Sequence, residues 1–188
     1  MRIFNRVAAV EYALKWALGR NPAYRDHSRN TGGGGDCTNF VSQVMLAGGW
    51  PQVPAAVPVP WNNNFWFSDG SSGSHSWAGA VNFQKFLKIS GRAAPCGRNE
   101  LTFGDIVFQE TDHPIHTMVV THAIQVSHLH PEANNEIFLS YHSLDRKNWP
   151  FWQIEEKYKE SGHKRPFTYW KVADLIPESP NYMRIKIH

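Results

Sequence analysis

Apolar residues at Val7, Val10, Leu14, Ala17 and Leu18 recur at helical spacing, and Gly19 with Asn21-Pro22 supplies a stop. The pattern predicts a first helix over residues 6–18. Residues 25–35 are polar and end in four glycines, which reads as a flexible loop. Asp36 then stands where an N-cap belongs, ahead of a second helix that carries Phe40, Val41 and Val44 on one face and stops at Gly48-Gly49. From Trp50 to Ser76 the chain has prolines, three successive asparagines and a Ser/Gly cluster, with neither helical nor strand periodicity. This Pro/Asn/Gly-rich stretch, at about 50–76, is expected to be a long ordered loop, because Trp61, Phe65, Trp66 and Phe67 are rarely left in water. Phe83, Phe86 and Leu87 mark a third amphipathic helix ending near Gly91.

Beyond this point residues 105–109, 116–126, 136–142 and 167–172 are rich in β-branched and aromatic residues and predict strands. Helices followed by strands, without regular alternation, point to an α+β fold: N-terminal helices packed on an antiparallel sheet. With 188 residues, 41% of them hydrophobic, no internal repeat and no linker, one domain over 1–188 is expected. A net charge of +3 is too small to argue for a nucleic-acid partner. The longest apolar runs, such as Val7–Val10, stop far short of the roughly 20 residues a membrane helix needs, and Glu11 interrupts the candidate signal core. No membrane insertion is expected. Localisation is left open between the cytoplasm and export by a separate route, as is the oligomeric state.

Two cysteines, Cys37 and Cys96, exclude a disulfide framework and share no CxxC spacing. Cys37 falls at a helix start, where unpaired N–H groups and the macrodipole favour a thiolate; the alternative is an inert buried thiol. Asp36 beside it would raise the thiol pKa unless occupied in capping. Cys96, between Pro95 and Gly97, reads as a loop residue. A general base is available in His116, at the head of a strand, and His142 closes a later strand. If the two strands form an antiparallel hairpin, these histidines are neighbours, and one can orient the other. A zinc site from His113, His116 and His142 is the competing reading, though no HExxH helix is present. His113, His128 and His130 read as solvated, and His122 as a hydrogen-bonded packing residue on the face of His116. The aromatic cluster at 61–67 and Trp77 either wall a substrate groove or seal the long loop.

The segment Gly34-Gly35-Asp36-Cys37-Thr38-Asn39-Phe40-Val41-Ser42-Gln43, with Ala47-Gly48-Gly49, resembles the signature of the putative amidase domain family, relatives of the NlpC/P60 and CHAP peptidases. Landmarks at 8–13, 21–24, 74–77, 104–107, His116-Thr117 and His142-Ser143 with Asp145 agree in order. The resemblance covers nearly the whole chain. It implies a papain-like fold, Cys37 as nucleophile, His116 as base and His142 at the third polar position, with Asp145 as its competitor. It implies no metal or organic cofactor, and an amide or peptide bond as substrate, in bacterial cell-wall peptidoglycan. Trp77, Tyr24 and Asp36 are the residues expected at the substrate. A non-catalytic wall-binding module and a thioester-forming acyltransferase are the rival readings. Two departures stand out: Ser143 where the family usually has Thr, and the proline-rich insert 51–60.

Overall fold

The computed structural model describes residues 2–54, 60–126, 133–159 and 166–177. Helix α1 (Arg6–Trp16) starts at Asn5, whose side-chain oxygen accepts the Ala8 N–H at 3.0 Å. Its buried stripe is Ala9, Ala13 and Ala17, spaced four apart on one face. Val7 and Leu18, expected on that stripe, are 58% and 65% exposed. The small alanines let the backbone approach α2 (Cys37–Ala47) closely, which a valine and leucine stripe would prevent. Helix α2 is buried nearly all round, and its polar residues are hydrogen-bonded: Gln43 accepts from the Tyr12 hydroxyl at 2.7 Å, and Ser42 donates to the Trp77 carbonyl at 2.8 Å.

Short helix α3 (His75–Ala78) leads into α4 (Ala80–Ser90), which ends on Gly91 in the left-handed conformation at φ 65°. Within the proline-rich stretch, residues 55–59 lie outside the described residues. The rest is anchored by the isolated bridge Val53–Trp66 and by the fully buried Trp66, whose indole donates to Ser42 Oγ at 3.0 Å. Here the aromatic cluster divides: Trp66 seals the loop onto α2, whereas Trp61 is exposed.

Strands β2 (Ala93–Cys96), β3 (Ile106–Glu110), β4 (Pro114–Ile124), β5 (Glu136–Tyr141), β6 (Arg146–Pro150) and β7 (Phe167–Val172) form one antiparallel sheet in the order β2-β7-β3-β4-β5-β6. Strands β1 (Arg2–Ile3) and β8 (Leu175–Ile176) pair separately. The period-2 alternation assigns Ile106, Phe108 and Val119 to the face covered by α1, α2 and α4. Val107, Met118, Val120 and Leu139 take the opposite face, together with α5 (Phe151–Lys159). The fold is therefore α+β with an antiparallel sheet, as expected, but helices lie on both faces. Cys96 lies in strand β2 opposite Tyr169, not in a loop.

Candidate active site

The candidate site forms where the first turn of α2 meets the start of β4. Cys37 is the first residue of α2 and is 8% exposed. The N–H groups of such a turn have no partners within the helix, so they can meet a developing negative charge. A hydrogen bond of 2.9 Å between the buried hydroxyls of Thr38 and Thr117 ties this turn to β4. Burial raises the Cys37 thiol, but hydrogen bonding and charge from the His116 imidazole, with support from the Thr117 backbone and Thr38, bring it down to about 7. Cys96 behaves oppositely: burial and the nearby Asp105 and Glu100 carboxylates push it up to about 11.

His116 is half-buried in β4, and its ring meets the edge of Tyr141 at 5.1 Å between centroids. The hairpin of β4 and β5 forms as expected, but the two histidines do not face each other. Val119 pairs with Ser140 and Val120 with Leu139, a register whose alternation assigns His142 to the face of Thr117 and Val119, and His116 to the other. His142 packs on Phe40 of α2 with centroids 4.1 Å apart. Its Nδ1 lies 2.6 Å from Asp36 Oδ2 and its Nε2 2.9 Å from the Trp16 carbonyl oxygen. Both ring nitrogens are thus engaged away from His116. Asp145, the competing orienter, is also turned elsewhere, making a two-point ion pair with Arg20 at 3.0 and 3.1 Å.

Asp36 does not cap α2 with its side chain. Its carboxylate is wholly buried and accepts from the His27 N–H, Asn39 Nδ2 and His142, with Arg20 Nε 3.0 Å away. Burial raises this carboxyl, yet the His142, Asn39 and His27 hydrogen bonds hold it below the usual carboxylate range. So occupied, Asp36 does not face a substrate. Arg20 joins Asp36, Asp26 and Asp145, and nothing in the sequence pattern singled it out. Thr38 and Thr117 were likewise missed, although each directly follows a named catalytic candidate.

Trp77 is 1% exposed; its indole donates to Asn39 Oδ1 at 2.7 Å and its ring stacks on Tyr24. It supports α2 from beneath instead of lining a groove. Tyr24 is half-buried and borders a shallow depression with Pro22, Arg25, Asp69 and Gly70. Burial raises its phenol. A β-bulge between Val120 and His122 moves His122 off the face of His116 and leaves it exposed beside Phe138. His128 and His130 lie outside the described residues. Among the described residues, no three His, Cys, Asp or Glu side chains converge as metal ligands, and no helix is long and apolar enough to cross a membrane.

The family model described as "Putative amidase domain" matches residues 3–164, most of the chain. The chain belongs to this amidase family. Curated proteins to which the chain is similar include two from Bacillus subtilis (strain 168). The uncharacterized protein YhbB is 34% identical over 124 residues, covering 62% of this chain and 37% of YhbB. The uncharacterized protein YjcM is 26% identical over 161 residues, covering 78% of this chain and 32% of YjcM. This amidase-family chain therefore spans about a third of the length of the curated relatives it matches. No solved structure matches it.

Proposed function

We propose that the chain is a single-domain, cysteine-dependent amidohydrolase of papain-like, NlpC/P60-type architecture, acting on amide or peptide bonds of bacterial peptidoglycan. Membership in an amidase family supplies the reaction class. The observation that carries the cysteine assignment is a thiol at a helix start, brought to about 7 by a neighbouring imidazole.

Cys37 thiolate attacks the substrate carbonyl carbon; a C–S bond forms and the carbonyl electrons move onto oxygen, which the first-turn N–H groups of α2 stabilise. Collapse of this intermediate breaks the C–N bond, and His116 imidazolium gives its proton to the departing amine. Water then adds to the thioester, passing a proton to His116. Loss of the thiolate releases the carboxylic acid, and no cofactor enters the balance.

The test is intact-mass analysis of the protein mixed with peptidoglycan stem-peptide fragments. An acyl adduct and new amine-bearing products are expected, both lost in Cys37→Ala and kept in Cys96→Ala. Cleavage by a folded Cys37→Ala variant would refute the assignment. Binding without products would favour the wall-binding module, and adducts resolved by added amines in preference to water would favour acyl transfer.

A further inference from the structure

On the reading of Cys37 as nucleophile, we propose that His142 is a positioning residue that acts through Asp36 on the backbone entering α2, and not an orienter of the His116 ring. Asp36 is joined directly to Cys37, so whatever fixes Asp36 fixes the thiol and the N–H groups beside it. The turn after β5 grips Asp36 twice: His142 Nδ1 meets its carboxylate at 2.6 Å, and the Ser143 hydroxyl accepts its backbone N–H at 3.2 Å. The ring itself cannot swing. Phe40 stacks against its face, and the Trp16 carbonyl, which can only accept, takes the Nε2 proton. Gly35 completes the grip, because a Cβ there would lie 3.3 Å from Ser143 Oγ on a backbone already at φ +145°.

The groups around Asp36 engage both oxygens of its carboxylate. Oδ1 accepts from His27 N–H and Asn39, while Oδ2 faces His142 and Arg20, itself shared with Asp26 and Asp145. A buried carboxylate held by three hydrogen-bond donors and by the charge of Arg20 is a rigid anchor, and rigidity is what an oxyanion site at a helix start requires.

A double-mutant cycle tests this, with two readouts: hydrolysis of stem-peptide fragments, and the rate at which methyl methanethiosulfonate modifies Cys37. His142→Ala and Asp36→Asn, each confirmed folded by circular dichroism, are expected to lower kcat at least about tenfold with KM within about twofold, and to alter Cys37 modification together. The double variant should be no worse than the poorer single one, because both remove one contact. His142→Gln should recover part of the loss, since its amide can still donate to Asp36. Losses that multiply, or a wild-type Asp36→Asn beside a crippled His142→Ala, would overturn the proposal. If His142→Ala does not fold, Asp36→Asn decides alone: unchanged kcat and unchanged Cys37 modification would overturn it. The modification rate needs no substrate, so hydrolysis surviving in Cys37→Ala would sink the nucleophile reading separately from this one.

Discussion

The two cysteines offer an internal contrast that can be worked to a number. Cys37 is brought to about 7 and Cys96 is pushed up to about 11. At pH 7 about half of Cys37 is thiolate, against about one in 10,000 of Cys96, a ratio of about 5,000. Lower basicity also means lower intrinsic nucleophilicity: with a Brønsted slope of about 0.45, the difference between the thiols takes back about 60-fold. A net preference of about 80-fold for Cys37 remains. Since Cys37 is only 8% exposed, the reagent must be small, and methyl methanethiosulfonate followed by peptide mapping suits. The Cys37 rate should climb about tenfold per pH unit below 7 and level off above about 8, because deprotonation is then complete. Cys96 keeps rising through that range, so the preference narrows with pH. In His116→Ala, burial of Cys37 is no longer opposed by the imidazole, and the preference at pH 7 should collapse. Equal rates at pH 7 in the wild type, or faster modification of Cys96, would refute the reasoning.

Trp77→Ala should act on stability more than on substrate affinity, costing about 3–5 kcal/mol in a urea melt, since the ring is buried and its indole holds Asn39 beside the nucleophile. A normal melt with a large rise in KM would return Trp77 to the substrate groove. Gly33→Ala should also destabilise, because a Cβ there would lie 1.9 Å from the His27 carbonyl oxygen, backbone that cannot step aside as a side chain would. Thermal melting of Gly33→Ala beside Gly34→Ala, whose Cβ would meet nothing within 4 Å, checks this; identical midpoints would contradict it.

What the sequence made legible was local. The run around Cys37 announces a nucleophile at a helix start, and β-branched residues mark β3, β4, β5 and β7. Strand β6 (Arg146–Pro150) escaped because it is polar and twisted, with Asn148 at φ 51°, and β2 because Pro95 interrupts any alternation. Helix α5 could have been found, since Phe151, Ile154 and Tyr158 recur at helical spacing and pack on the second face. The partners of His142 were beyond reach for a different reason. Alternation says that neighbours along a strand face opposite ways, but the register decides which of them share a face with a residue on the next strand. Asp36 illustrates a second limit: an N-cap residue type predicts a cap only when no stronger partner arrives, and here an imidazole and a guanidinium did, the latter from Arg20 in the loop after α1.

The place of β7 in the sheet governs when this chemistry can come into being during synthesis. The strand is drawn from residues 167–172 yet sits between β2 and β3, and Trp170 and Val172 belong to the same core as Phe40 and Val44 of α2. A growing chain can assemble the β3 to β6 meander early, but until β7 emerges β3 is an unpaired edge, β2 has no partner and the floor beneath the nucleophile's helix is open. Cys37 is made 130 residues ahead of Phe167, where β7 starts, and until then part of the core that its helix packs on is missing. Topology thereby acts as a timer: the floor beneath the nucleophile's helix closes only once β7 has been made.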